Sequence, residues 1–177
     1  MHQLIEAFTW WGLEGLVPAG VGEAATSAYL VIAFLLPFAV PLAIGAVERD
    51  SRRRRMVVPF VVLGGAVSTT LLVAMATGPV SAAIADRYIV YDVNLDFGGQ
   101  ITALYVIATC VPLLLSSRRS IVVFGALNLM AVAALATLLA IGVISLWCAW
   151  AAVASLVIVA HLRTAEDRGG RLAPIQV

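Results

Sequence analysis

The amino terminus carries the polar side chains whose spacing best suits chemistry. His2 and Glu6 lie four residues apart, so both face the same side of a helix, and Gln3 lies beside them. An imidazole next to a carboxylate can relay a proton, act as a general base or contribute two ligands to a cation. The same residues also suit a hydrogen-bond clamp between helices, or the wet face of an interfacial helix. Both interpretations of this candidate polar site stay open.

Two residues far along the chain are candidates to join that site. Asn128 and His161 are expected on the same inner half of the molecule as His2. A zinc site needs at least three protein ligands, and the amino-terminal spacing supplies only two. His2, Glu6 and His161 therefore form a weak candidate set, and we expect no metal. In the alternative, Asn128 makes a single interhelical hydrogen bond and His161 is an interfacial histidine without a special task.

No other pattern in the sequence indicates an enzyme. It has no glycine-rich phosphate loop, no HExxH, no Ser-His-Asp order and no pair of catalytic carboxylates. Cys110 and Cys148 lie in apolar segments at different expected depths, which predicts two free thiols. We expect no cofactor, and catalysis is the less favoured reading.

Composition places these residues in a membrane. Of the 177 residues, 62% are apolar and 12% are charged, whereas soluble domains carry about 25% charged residues. The lipid bilayer is therefore the expected environment and partner, with a second copy of the chain or another membrane protein as the expected protein partner. Nucleic acid is not expected, because the arginines form short clusters without interleaved aromatic residues.

The apolar segments predict an all-α, polytopic transmembrane bundle with five full spans and a short amino-terminal helix. It forms one domain over residues 1–162, followed by a cytoplasmic tail, residues 163–177. The last two spans divide one apolar run, because ~43 residues would form a helix of ~65 Å against a hydrocarbon core of ~30 Å. The predicted spans are residues 23–47, 56–77, 99–116, 120–142 and 145–162.

Orientation follows from the basic residues. All eleven are arginines, and every one except Arg87 falls in clusters at residues 49–55, 118–119 and 163–171, on one side of the predicted spans. Positive charge marks the cytoplasmic side, so we expect a multi-pass membrane protein with its carboxyl terminus on the cytoplasmic side. Residues 78–98 then form an external loop, in which Tyr88 to Val93 have strand propensity and Asn94 favours a turn.

Residues 1–13 predict a helix that is too short to span. A helix of ~14 residues is ~20 Å long, which leaves two interpretations. It lies flat in the interface, or the chain begins inside a longer helix.

Several short stretches carry a resemblance to a known family. They are His2 to Ala7, Trp10, Tyr91 to Val93, Ala108 to Cys110, Leu146 to Ala151 and His161-Leu162. With them the chain resembles an uncharacterised family of bacterial integral membrane proteins, common in actinobacterial-type genomes. Members of that family typically open with Met-Cys, an aromatic residue and Ser, followed by a further membrane helix, and this start is missing here. The resemblance favours a late start. It implies the bacterial cytoplasmic membrane as the location, and it implies no activity.

Three functional hypotheses remain. The first is a membrane binding, sensing or accessory subunit, which the lack of catalytic motifs favours. The second is a small transporter or permease, with a polar cavity at the membrane midplane. The third is an intramembrane enzyme, such as a metal-dependent lipid-modifying hydrolase, using His2, Glu6 and His161. The residues available to line the transport cavity are His2, Gln3, Glu6, Thr109 and Asn128.

Overall fold

The computed structural model describes residues 2–85 and 88–138, and this part of the chain is helical apart from one hairpin. Within it, the predicted all-α character and the short amino-terminal helix are confirmed. The fifth predicted span, the tail, Cys148 and His161 lie outside the described residues. The elements in chain order are α1 (His2–Leu13), α2 (Ala19–Val47), α3 (Ser51–Thr77), β1 (Ser81–Ala85), β2 (Tyr88–Asp92), α4 (Gly98–Leu114) and α5 (Arg119–Leu138).

Two of these helices are long and apolar enough to cross a membrane. They are α2 and α3, with 29 and 27 residues and a mean hydropathy of 2.6 and 2.1 over their most apolar windows. The expectation of five full spans is thus not supported over the described residues. The helix at the predicted third span, α4, has 17 residues, or ~26 Å at ~1.5 Å per residue. The helix at the predicted fourth span, α5, is described from Arg119 to Leu138, and the end of that span, residues 139–142, lies outside the described part of the chain.

The helices α2 and α3 begin earlier than the predicted spans at 23 and 56. The first starts directly after Pro18. For the second, Asp50 is the N-cap, and its carboxylate accepts hydrogen bonds from the backbone N–H groups of Arg52 and Arg53, at 2.8 and 3.5 Å. The four consecutive arginines therefore lie in the first turns of α3, and only three residues separate α2 from α3.

Two prolines inside α2 shape its contacts with the neighbouring helices. Proline has no N–H, so Pro37 leaves the carbonyl of Ala33 without its helical donor, and Pro41 does the same to the carbonyl of Pro37. The Tyr105 hydroxyl of α4 donates to the Ala33 carbonyl at 2.8 Å. Gly64 of α3 lies against the Pro37 carbonyl so closely that an added Cβ would overlap its oxygen. The prolines thus fix where α3 and α4 meet α2.

Two apolar clusters form the core. The larger consists of Tyr29, Leu30, Ala33 and Phe34 of α2 with Val67 and Leu71 of α3. The smaller joins Ile44 of α2, Val57 of α3 and Leu113 of α4. Gly125 of α5 packs against Leu113, where an added Cβ would lie 2.6 Å from the leucine Cβ. Small residues at these crossings let the helices approach closely.

The strand propensity at Tyr88 to Val93 is confirmed by an antiparallel hairpin. β1 pairs with β2 from Ser81 opposite Asp92 to Ala85 opposite Tyr88. Ile89 is buried, and Asn94 adopts a φ of 51°, the left-handed region that asparagine tolerates. Within the predicted external loop, the described residues therefore form a two-stranded hairpin that precedes α4.

The amino-terminal helix runs back along α2. Gly12 and Gly22 meet at one end of this contact, where an added Cβ on either would come within 2.7 Å of the other's Cα. His2 contacts Tyr29 at the other end. Packing along α2 positions the polar face of α1 against the bundle.

Candidate functional site

His2 lies on an aromatic stack. Its ring is stacked on that of Tyr29, with centroids 4.0 Å apart and an interplanar angle of 16°. Its Nε2 is 3.0 Å from the backbone oxygen of Tyr29. A carbonyl oxygen only accepts, so Nε2 carries a proton and donates it. That nitrogen is therefore not a metal ligand in this arrangement.

Glu6 is joined to the same stack from the other side. Tyr91 of β2 stacks on Tyr29, with centroids 5.0 Å apart, and its hydroxyl donates to Glu6 Oε1 at 3.4 Å. Glu6 is buried. The structure thus brings His2 and Glu6 into one cluster through two tyrosines, which we call the tyrosine cluster: His2, Glu6, Tyr29 and Tyr91.

The remaining amino-terminal candidate, Gln3, has a buried Nε2 without a hydrogen-bond partner among the described residues. Over residues 2–85 and 88–138, no group of three or more His, Cys, Asp or Glu side chains is placed to hold a metal ion. A set of His2, Glu6 and His161 stays a prediction, because His161 lies outside that part of the chain.

Asn128 belongs to a different contact. Its Nδ2 donates to Cys110 Sγ at 3.5 Å, which links α5 to α4. Both residues are buried, and Cys110 is a free thiol. Asn128 therefore makes an interhelical hydrogen bond, and the described contacts do not include it in the tyrosine cluster.

A cavity of about 430 Å³ lies between α2 and α4. One end is formed by the hairpin and the start of α4, with Tyr91, Asp92 and Gly98 in its wall. The other end reaches α5 and is bounded by Ile44, Leu113, Phe124 and Asn128. Most of the described lining is apolar, and the polar side chains in it are Tyr91, Asp92, Thr102, Tyr105, Thr109 and Asn128.

The cavity and the tyrosine cluster adjoin at Tyr91, which belongs to both. His2, Gln3 and Glu6 are not among the described lining residues. Sequence reasoning identified Tyr91 by its strand propensity but missed its role as the link. The sequence did contain a signal for its partner Tyr29, because Tyr29 is the one tyrosine in the apolar α2.

A second polar cluster, at the opposite end of the bundle, was missed entirely. The carboxylate of Glu48, at the end of α2, accepts bonds from the Ser117 N–H and the Ser117 hydroxyl, both at 2.7 Å. It also accepts from the Asp50 N–H at 3.1 Å. These bonds, led by the Ser117 hydroxyl and the Ser117 N–H, lower the pKa of Glu48 to about 2 because they favour the ionised form.

Arg53 adds a second contact between the α2–α3 turn, which holds Glu48, and the α4–α5 turn, which holds Ser117. Its Nη1 donates to the backbone oxygens of Leu115 and Ser116, at 3.1 and 3.0 Å. These carbonyls end α4, where a cation is favoured by the helix dipole. The α2–α3 turn and the α4–α5 turn are therefore tied together, and two of the three arginine clusters lie at the same end of the bundle.

Residues 1–171 match a family of unknown function, DUF6629. The chain belongs to that family. The predicted membership of an uncharacterised family is thereby confirmed. No curated protein and no solved structure matches the chain.

The DUF6629 match covers every candidate named from the sequence, including Asn128 and His161. The family description assigns no activity to any of them. Function is therefore argued from the cavity and its surroundings.

Proposed function

We propose that the chain is a multi-pass protein of the bacterial cytoplasmic membrane that binds an amphipathic small molecule between α2 and α4. Support for the membrane comes from large apolar side chains exposed on all four long helices, which water does not tolerate in such number. They include Val31, Leu35, Phe38 and Leu42 on α2, Met56, Val58, Val62 and Val73 on α3, Leu104 and Ile107 on α4, and Val123, Leu127 and Met130 on α5.

The arginines support the orientation. Clusters 49–55 and 118–119 share one end of the bundle through Arg53 and Glu48, while the hairpin lies at the opposite end. The positive-inside rule makes the arginine end cytoplasmic. The carboxyl terminus would lie on that side as well, with the third cluster, 163–171. A protein partner or second copy stays a prediction.

Cysteine labelling tests this orientation. Single cysteines would replace Arg52, Arg118 and, on the hairpin, Ser81, with the unsubstituted chain as the control for the native cysteines. We expect an impermeant maleimide to label Ser81→Cys in intact spheroplasts, and Arg52→Cys and Arg118→Cys only after lysis. Labelling of residues 52 and 118 from opposite sides would refute the orientation.

The cavity carries the binding function. Its volume of about 430 Å³ falls within the ~300–1,000 Å³ of typical ligand pockets, which are mostly apolar with a few polar groups that orient the ligand. The described lining has this character. It does not favour a permease for hydrophilic substrates, since such a path needs polar walls along its length.

A substitution that fills the cavity tests binding. Ala43 lines the cavity, whereas Ala46, also exposed and one turn further along α2, is not among the described lining residues. In phosphatidylcholine nanodiscs, with empty discs subtracted, we expect saturable binding of dodecanol to the native chain and to Ala46→Trp. Ala43→Trp should weaken binding at least about tenfold, because the indole occupies the space of the ligand. Equal affinity of the two variants would exclude this cavity as the site.

A further inference from the structure

Three hydroxyl groups of α4 in the cavity wall already donate hydrogen bonds to backbone carbonyls. Thr102 donates to the Gly98 carbonyl, Tyr105 to the Ala33 carbonyl and Thr109 to the Tyr105 carbonyl, each at 2.8 Å. Carbonyl oxygens only accept, so each of these bonds uses the single hydroxyl proton. None of these three hydroxyl groups therefore has a proton left to donate to a ligand.

The hairpin end of the cavity has the same polarity. Tyr91 donates its proton to Glu6. Asp92, at the mouth, offers a carboxylate, one oxygen of which accepts the Asn94 N–H at 2.8 Å. No arginine, lysine or histidine is among the described lining residues. A ligand carboxylate or phosphate would therefore meet like charge at Asp92 and no basic side chain in the described wall.

The start of α4 is the feature that would favour an anion, because helix amino termini present N–H groups. Two residues at this start line the cavity, and their N–H groups are already hydrogen-bonded. The N–H of Gly98 bonds to the Leu95 carbonyl at 3.2 Å, and that of Ile101 to the Phe97 carbonyl at 3.0 Å. Among the described lining residues, the one with a formal charge is therefore Asp92, at this end of the cavity.

We infer that the ligand is an amphiphile whose polar end is a cationic hydrogen-bond donor, an alkyl amine. The amine lies at the hairpin end against Asp92, and the apolar chain runs between α2 and α4 towards Leu113 and Phe124. This assignment rests on the proposed binding function and adds to it the charge and the orientation of the ligand.

Three ligands with one chain length and different polar ends test the assignment: dodecylamine, dodecanol and dodecanoate. They would be titrated into the native chain in phosphatidylcholine nanodiscs, with the cavity-filled Ala43→Trp chain as the background. We expect dodecylamine to bind about tenfold or more tighter than dodecanoate, with dodecanol between them, as a charge-assisted hydrogen bond predicts. Dodecanoate binding as tightly as the amine overturns the inference and leaves the binding function standing. If none of the three binds above background, both fail.

Asp92→Asn isolates the carboxylate. Asparagine keeps the oxygen that accepts the Asn94 N–H, so the turn is preserved, and only the charge is removed. The expected result is an approximately tenfold loss of dodecylamine affinity with dodecanol affinity unchanged. The matched control is Asp96→Asn, an exposed carboxylate of the same loop outside the described lining. Equal dodecylamine affinity of the native chain and Asp92→Asn would contradict the placement of the amine.

Discussion

Gly64→Ala is expected to lower the free energy of unfolding by about 3 kcal/mol, the upper end of what overpacking a core typically costs. The added methyl group would overlap the Pro37 carbonyl oxygen and crowd the Phe38 nitrogen. Both are backbone atoms of a helix, so neither moves without shifting α2. Since proteins are stable by only ~5–15 kcal/mol, the loss should appear as a large drop in the melting temperature of the purified protein.

Gly65→Ala is the control for this prediction. Its added methyl group would meet only the ring of Phe38, at 3.5 Å, an ordinary contact with a side chain. Alanine favours a helix over glycine by about 1 kcal/mol, so this neighbour should be neutral or slightly stabilised. If Gly64→Ala does not fold at all, we expect no monodisperse protein from it and a normal yield from Gly65→Ala. That difference in yield still separates the two positions. Equal melting temperatures would show that α2 and α3 are not in contact at Gly64.

The elements of this fold that the sequence predicted are those with a local signal. Hydropathy located α2 and α3 because every residue of a long apolar run contributes to the signal. Strand propensity and Asn94 located β2 and its turn for the same reason. The predicted span begins at 56 because arginine marks a membrane boundary, whereas the helix itself begins at Ser51. The N-cap at Asp50 is the local signal for that earlier helix start.

The polar clusters were only partly predictable. His2 and Glu6 share a helix face, so their proximity is a local property that four-residue spacing reveals. Their partners Tyr29 and Tyr91 are 27 and 85 residues away along the chain. Glu48 and Ser117 are 69 residues apart, and nothing in their local sequence specifies that the two turns meet. Such contacts depend on how helices pack, which periodicity does not encode.

Tyr105→Phe is expected to destabilise the protein by about 1–3 kcal/mol, the cost of leaving a buried polar group without its partner. The phenylalanine keeps the ring and removes the hydroxyl that donates to the Ala33 carbonyl. That carbonyl has no helical donor, because residue 37 is proline. In this interpretation the Tyr105 hydroxyl is needed only because Pro37, four residues after Ala33 in α2, cannot donate to the Ala33 carbonyl.

A double-mutant cycle with Pro37→Ala tests that dependence. Alanine at position 37 supplies an N–H that can bond to the Ala33 carbonyl, so removing the Tyr105 hydroxyl should then cost little. We expect a coupling free energy of about 1–2 kcal/mol between the two substitutions, measured by unfolding of all four proteins. Any cavity or change of helix curvature caused by losing the proline ring cancels, because it is present in both members of the Pro37→Ala pair. Strictly additive effects would mean that the contribution of the Tyr105 hydroxyl does not depend on the proline, which would contradict this interpretation. Coupling would establish that Pro37 exposes the carbonyl through which α2 is joined to α4 beside the cavity.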